Sequence, residues 1–137
     1  MKNPIIIEVN KEIKSEKDLE LSILSNLSYF FKQLGEGLTF VDNQYKMLEN
    51  NQHYYIDILL FNIKLNCYIV VELKLRELKK EDKAQMEFYM KLVDEQVKEA
   101  HHNKTIGIII SKESNNFIAN FVESENIIPL NYKIKNV

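Results

Sequence analysis

Two apolar runs separated by a short break dominate the middle of the chain. The first reads Tyr54-Tyr55-Ile56-Asp57-Ile58-Leu59-Leu60-Phe61; the second reads Cys67-Tyr68-Ile69-Val70-Val71-Glu72-Leu73-Lys74. Their length and their content of Ile, Val, Leu and Tyr predict adjacent strands, joined through a turn at Asn62 to Asn66. The Cys67 to Leu75 strand is apolar on both faces, the pattern of a strand in the middle of a sheet. Upstream, Leu38 to Val41 and Gln44 to Leu48 predict strand, with Asp42-Asn43 as a bulge or turn and Glu49 to Gln52 as a polar turn. Three antiparallel strands in succession make a meander.

Helical periodicity flanks this block. Ser15, followed three residues later by Asp18, is an acidic variant of the capping box. Leu19, Ile23, Leu24, Leu27, Phe30, Phe31 and Leu34 then form one apolar stripe, which predicts a single helix ending at Gly35 and Gly37. Glu20 lies at the edge of that stripe, where spacing alone predicts a solvated glutamate. After the meander, Lys79 to Glu99 predicts a charged helix with Met86, Tyr89, Met90, Val93 and Val97 on one side, closed by His101-His102-Asn103. Thr105 to Ser111 predicts a buried strand, which a crossover helix would set parallel to the Cys67 strand. Asn115 to Val122 predicts a short helix, and Pro129 to Ile134 a terminal strand or tail. Residues 1–14 show no clear period and read as an arm, an extra edge strand or a linker remnant. The order α-β-β-β-α-β-α-β describes an α/β sandwich on a mixed sheet.

Composition narrows the class. At 137 residues, with 45% hydrophobic and 28% charged, the chain suits one globular domain, expected over residues 15–137. No apolar run approaches the length of a membrane span, and Ile5-Ile6-Ile7 is too short for a signal-peptide core, so the expected location is the cytoplasm. The single cysteine, Cys67, excludes an internal disulfide and a cysteine-based zinc site; it reads as a small packed hydrophobe. A net charge of −2 does not advertise nucleic-acid binding, although a carboxylate site neutralised by metal also makes a chain acidic.

The chemistry lies in the charges that interrupt the two central strands. An ionised group in a core strand is costly unless it is paired or holds a metal. Glu72 and Lys74, two apart, share a face, and a modest register adjustment brings Asp57 beside Glu72. Two carboxylates converging from neighbouring strands suit a hard divalent cation such as Mg²⁺, with the Leu73 carbonyl as a further candidate ligand. A lysine at that position positions or deprotonates an attacking water, or stabilises charge on a phosphate. The combination suits metal-assisted hydrolysis of a phosphodiester; the structural alternative is a buried ion pair or a charged strand end. His101 and His102 suit a helix end better than a metal site. Lys74-Leu75-Arg76-x-x-Lys79-Lys80 is either a phosphate-touching run or a solvated loop. Tyr54, Tyr55 and Tyr68 read as sheet packing.

Taken in order, Glu20, Gly35-x-Gly37-x-x-Phe40-Val41, Gln44-Tyr45, Tyr55-Ile56-Asp57-Ile58-Leu59-Leu60-Phe61, the Cys67 to Lys74 run, Gln85-Met86-x-Phe88-Tyr89 and Ile106 to Lys112 resemble the PD-(D/E)xK nuclease superfamily, and within it the YhcG-type nuclease domain. The proline of the motif name is absent, since Ile56 precedes Asp57. The resemblance implies a three-layer restriction-endonuclease-like α-β-β-β-α-β core, with Asp57 and Glu72 as ligands of Mg²⁺ (or Mn²⁺) and Lys74 as the catalytic lysine. It makes Glu20 a helix carboxylate that completes the site or orients a water. Gln85 and Tyr89 would orient the lysine or contact the substrate backbone, and Gln44 and Arg76 join Tyr89 as candidate substrate contacts. DNA is the implied substrate, in recombination, repair or defence. A homodimer is expected because cutting two strands with one site per chain favours two chains. Such domains commonly follow a helical N-terminal domain, which is expected here as a separate region or partner. The competing reading is a non-catalytic nuclease-fold module for dimerisation or nucleic-acid binding. RNA stands as the alternative substrate.

Overall fold

The computed structural model of the chain describes residues 6–9, 12–112 and 126–134. The short helix expected at Asn115 to Val122 lies outside them. The described strands are β1 (Ile6–Val9), β2 (Leu38–Glu49), β3 (Gln52–Asn62), β4 (Cys67–Leu73), β5 (Ile106–Lys112) and β6 (Ile127–Ile134); the helices are α1 (Glu16–Leu24), α2 (Leu27–Leu34) and α3 (Lys80–Gln96). All six strands join one mixed sheet in the order β1-β6-β5-β4-β3-β2. The meander β2-β3-β4 is antiparallel, whereas β5, β6 and β1 continue parallel to β4. The doubly apolar strand is therefore interior, as its pattern requires.

Alternation along the strands divides the core into two layers. On one face Leu19, Ile23 and Phe30 of α1 and α2 pack with Ile58, Leu60, Ile69, Val71, Leu73, Ile108 and Ile110. On the other face Met86, Tyr89, Leu92 and Val93 of α3 pack with Leu59, Val70, Ile109 and Ile127. Helices on both faces of a mixed sheet give the three-layer α/β architecture. Gly107 permits close approach there, because a Cβ on it would stand 2.6 Å from Met86 Sδ.

Asn50 and Asn51 both adopt positive φ (51° and 63°) and close a two-residue hairpin, with Glu49 opposite Gln52. The expected bulge in β2 is present as a register shift between Phe40 and Asp42. Cys67 is buried, as its pattern indicates.

The first helix differs from its expected form. The apolar stripe continues in phase across two separate helices, and periodicity cannot reveal the break. Ser25 caps the end of α1. Asn26 opens α2, its Oδ1 accepting the Tyr29 N–H at 3.1 Å. The third helix also stops earlier than expected, at Gln96. The Val97 and Lys98 amides both return to the Val93 carbonyl, so His101 and His102 lie beyond the helix rather than at its end. The second strand of the core ends at Leu73 rather than Leu75, although Lys74 N–H still reaches the Ile110 carbonyl at 2.8 Å.

Candidate active site

The β3–β4 ladder runs from Asn62 opposite Cys67 to Ile58 opposite Val71 and stops there. The next residues on the two strands are Asp57 and Glu72. In place of ladder bonds they exchange carboxylate-to-amide bonds. Asp57 N–H donates to Glu72 Oε2 at 2.9 Å, and Leu73 N–H donates to Asp57 Oδ2 at 2.8 Å. The side-chain alternation of β3 breaks at the same point. Ile56 packs under α3 although Ile58, two residues on, packs under α1 and α2. Asp57 thereby turns into the gap between the parting strands, which supplies the register adjustment that the sequence requires.

Burial dominates the electrostatics of the pair. Glu72 is 5% exposed, and desolvation, with the Asp57 charge beside it, raises its pKa well above the ordinary carboxylate value. Asp57 is also raised by burial. The Leu73 amide and Gln44 partly offset that rise, and the Glu20 charge adds to it. Two neighbouring carboxylates whose charged forms are disfavoured by burial and by each other set hard oxygen donors side by side. That donor set fits a divalent cation of the Mg²⁺ type. Among the described residues, no three His, Cys, Asp or Glu side chains stand close enough to hold an ion together.

Glu20 is not solvated. It is 3% exposed, and its Oε1 accepts the Gln44 amide at 2.5 Å. Asn43 Nδ2 and Lys17 Nζ approach its Oε2 at 3.3 and 3.5 Å. Gln44 Nε2 also donates to Asp57 Oδ1 at 3.1 Å, linking the helix carboxylate to the strand carboxylate. On the other side of the site Lys74 Nζ donates to Gln85 Oε1 at 3.0 Å, and Gln85 Nε2 meets Tyr89 Oη at 3.4 Å. Burial, with the charges of Glu72 and Asp57, pushes the Tyr89 hydroxyl up to about 12, so it stays protonated. The structure thus brings together Glu20, Gln44, Asp57, Glu72, Lys74, Gln85 and Tyr89.

The YhcG PDDEXK nuclease domain model matches residues 1–133 of this sequence. The chain belongs to that family. It is also similar to the curated Escherichia coli (strain K12) protein "Putative nuclease YhcG", at 27% identity over 115 residues, covering 82% of this chain and 31% of the relative. The chain thus spans about a third of the length of that relative. Among solved structures, a repair endonuclease from Pyrococcus abyssi aligns with a TM-score of 0.56 at 18% identity, covering 91% of this chain and 49% of that one. That likeness is one of fold, and it is the restriction-endonuclease-like fold expected from the motifs.

In this YhcG-type domain the remaining candidate, Arg76, is bound to a residue outside the carboxylate pair. Its guanidinium grips Asp82 in two bonds, at 2.6 and 2.8 Å. Sequence reasoning missed Asp82, because Arg76 lies in the loop before α3 and no periodic pattern joins a loop residue to the first turn of the following helix. It also missed Lys17 and Asn43 beside Glu20. Lys17 carried a usable signal, standing three residues before Glu20 on one helix face. Two of the three tyrosines pack as expected, Tyr54 against Phe88 and Tyr68 against Phe61 and His102, whereas Tyr55 is exposed on β3. Among the described residues no helix is long and apolar enough to cross a membrane.

Proposed function

We propose that this nuclease domain hydrolyses phosphodiester bonds in DNA with a divalent cation, Mg²⁺ or Mn²⁺, held by Asp57 and Glu72. The observation that carries the reading is the buried pair of carboxylates at the parting ends of β3 and β4, each anchored by one oxygen to a backbone amide. Those anchors fix both carboxylates before any substrate arrives. When bound, the cation supplies Lewis-acid polarisation of the phosphodiester. Lys74, anchored on Gln85, places its ammonium beside the carboxylates to stabilise charge developing on the phosphate or to orient the attacking water. Tyr89 supports Gln85 and keeps its own proton. Arg76, committed to Asp82, serves the site by fixing the start of α3 rather than by gripping substrate. The working unit is the domain over residues 15–137, with β1 added at the sheet edge, and it acts in the cytoplasm as a homodimer so that two sites meet two strands. A separate helical domain or partner supplies much of the DNA grip.

A cleavage assay with Mg²⁺ on linear, branched and single-stranded DNA, with RNA alongside, tests this reading. Asp57→Asn and Lys74→Ala should abolish cleavage while circular dichroism reports an intact fold. Cleavage that persists in both variants, or in EDTA, would sink the proposal. Cation binding without cleavage of any nucleic acid would favour a non-catalytic binding or assembly module instead.

A further inference from the structure

Gln44 sits in the middle of a strand with φ 48°, a left-handed conformation that a non-glycine residue adopts only at a cost. It has no local turn to make, since Asn43 pairs with Ile58 before it and Tyr45 with Ile56 after it. What the twist achieves is the aim of its side chain. One amide nitrogen donates both to Glu20 Oε1 and to Asp57 Oδ1. The other oxygen of Glu20 is met by Asn43 and Lys17. A carboxylate offers about four lone-pair positions in all, and three donors converge on this one. The donors also point their positive ends at the oxygens, which opposes a cation approaching the same atoms. Asp57 and Glu72 carry fewer donors: Asp57 accepts two, the Leu73 amide on Oδ2 and Gln44 on Oδ1, and Glu72 accepts one, the Asp57 amide.

We propose that Gln44 is a positioning residue, whose amide ties Glu20 to Asp57 and keeps Glu20 from ligating, so that the site takes one divalent cation. This inference rests on the cation reading given above and adds to it a count and a role. Glu20 acts through Gln44 by orienting Asp57.

Calorimetric titration of the full chain with Mn²⁺ tests the count. The expected result is one Mn²⁺ per chain for the unaltered protein and again one for Glu20→Gln, with binding lost in Glu72→Gln. Two ions per chain, or loss of binding in Glu20→Gln, would overturn this inference and leave the nuclease reading standing; no binding at all would overturn both. Gln44→Gly tests the role, because glycine relieves the backbone strain and removes the tether. The melting temperature should hold or rise while kcat falls about tenfold or more, the size of effect typical of residues that orient a ligand, and KM for DNA stays unchanged. An unchanged kcat, or a loss confined to KM, would show that Gln44 grips substrate or does nothing. Should the glycine variant fail to fold, Gln44→Asn, which tolerates the same backbone but is one methylene shorter, carries the same expectation.

Discussion

Asp82→Ala should cost this domain a large share of its stability, although Asp82 touches no carboxylate of the site. The side chain is 4% exposed and accepts three bonds: two from Arg76, at 2.6 and 2.8 Å, and one from the Lys79 backbone amide at 2.8 Å. Removing one member of a buried pair costs about 3–5 kcal/mol, and losing an N-terminal helix bond costs about 1 kcal/mol. Arg76 is 38% exposed and regains water when freed, so solvent screening cuts the pair to about 2 kcal/mol, which with the helix bond makes about 3 kcal/mol in all. With a denaturant slope of about 1.5–2 kcal/mol/M, the urea midpoint should fall by about 1.5–2 M. The pH dependence follows from the direction of the shift. Burial alone would raise the Asp82 pKa, but the Arg76 hydrogen bonds and the Lys79 amide outweigh it and hold the pKa below the ordinary value of 3.8. The unfolded chain therefore takes up a proton before the folded one does. The contribution is fully present at neutral pH and is lost only as pH falls through the folded value. Urea midpoints of the parent and Asp82→Asn should accordingly differ by a constant amount from pH 8 down to pH 5. A drop of under about 0.3 M for Asp82→Ala, or a gap that closes by pH 5, would refute the reasoning.

Three further outcomes follow. Glu72→Gln should raise the melting temperature of the metal-free protein at pH 7 by about 4 °C, a gain of about 1 kcal/mol, because the folded state holds the proton more tightly than the unfolded chain and loses stability as pH rises; calorimetry in EDTA reads this, and a fall would refute it. Ser111, fully buried in β5, has a hydroxyl with no hydrogen-bond partner among the described residues, so Ser111→Ala should be neutral or stabilising by up to about 1 kcal/mol in urea unfolding. Gly107→Ala should destabilise by about 1–3 kcal/mol, since the new methyl must displace Met86 and Met90; an unchanged midpoint would show that the methionines yield freely.

The strands were legible in the sequence because their apolar runs are long and their turns carry asparagine. The charges that interrupt those runs marked Asp57, Glu72 and Lys74, and helical spacing placed Gln85 above Tyr89. The break between α1 and α2 was hidden because Leu24 and Leu27 keep the stripe in phase across it. Glu20 read as solvated because helical periodicity sees one helix at a time. It is β2, more than twenty residues away in the chain, that buries it, bringing Asn43 and Gln44 across. Arg76 reads as a phosphate contact or part of a solvated loop, and its bond to Asp82 in the following helix is invisible to either reading. Local pattern thus recovered the elements and the residues on them, whereas contacts between elements decided which charges were already spoken for.

The crossed bonds between Asp57, Glu72 and the two backbone amides have a consequence for sequence comparison. Each carboxylate stands in for a missing rung between β3 and β4, so replacing it by a small apolar residue strands a main-chain N–H as well as removing a proposed ligand. A descendant domain that abandoned hydrolysis would still be under pressure to keep both acids merely to fold. Lys74 carries no such duty, since its ammonium meets a side chain and not the main chain. Across relatives, drift at the lysine is therefore the more telling mark of a retired enzyme than persistence of the acidic pair is of a working one.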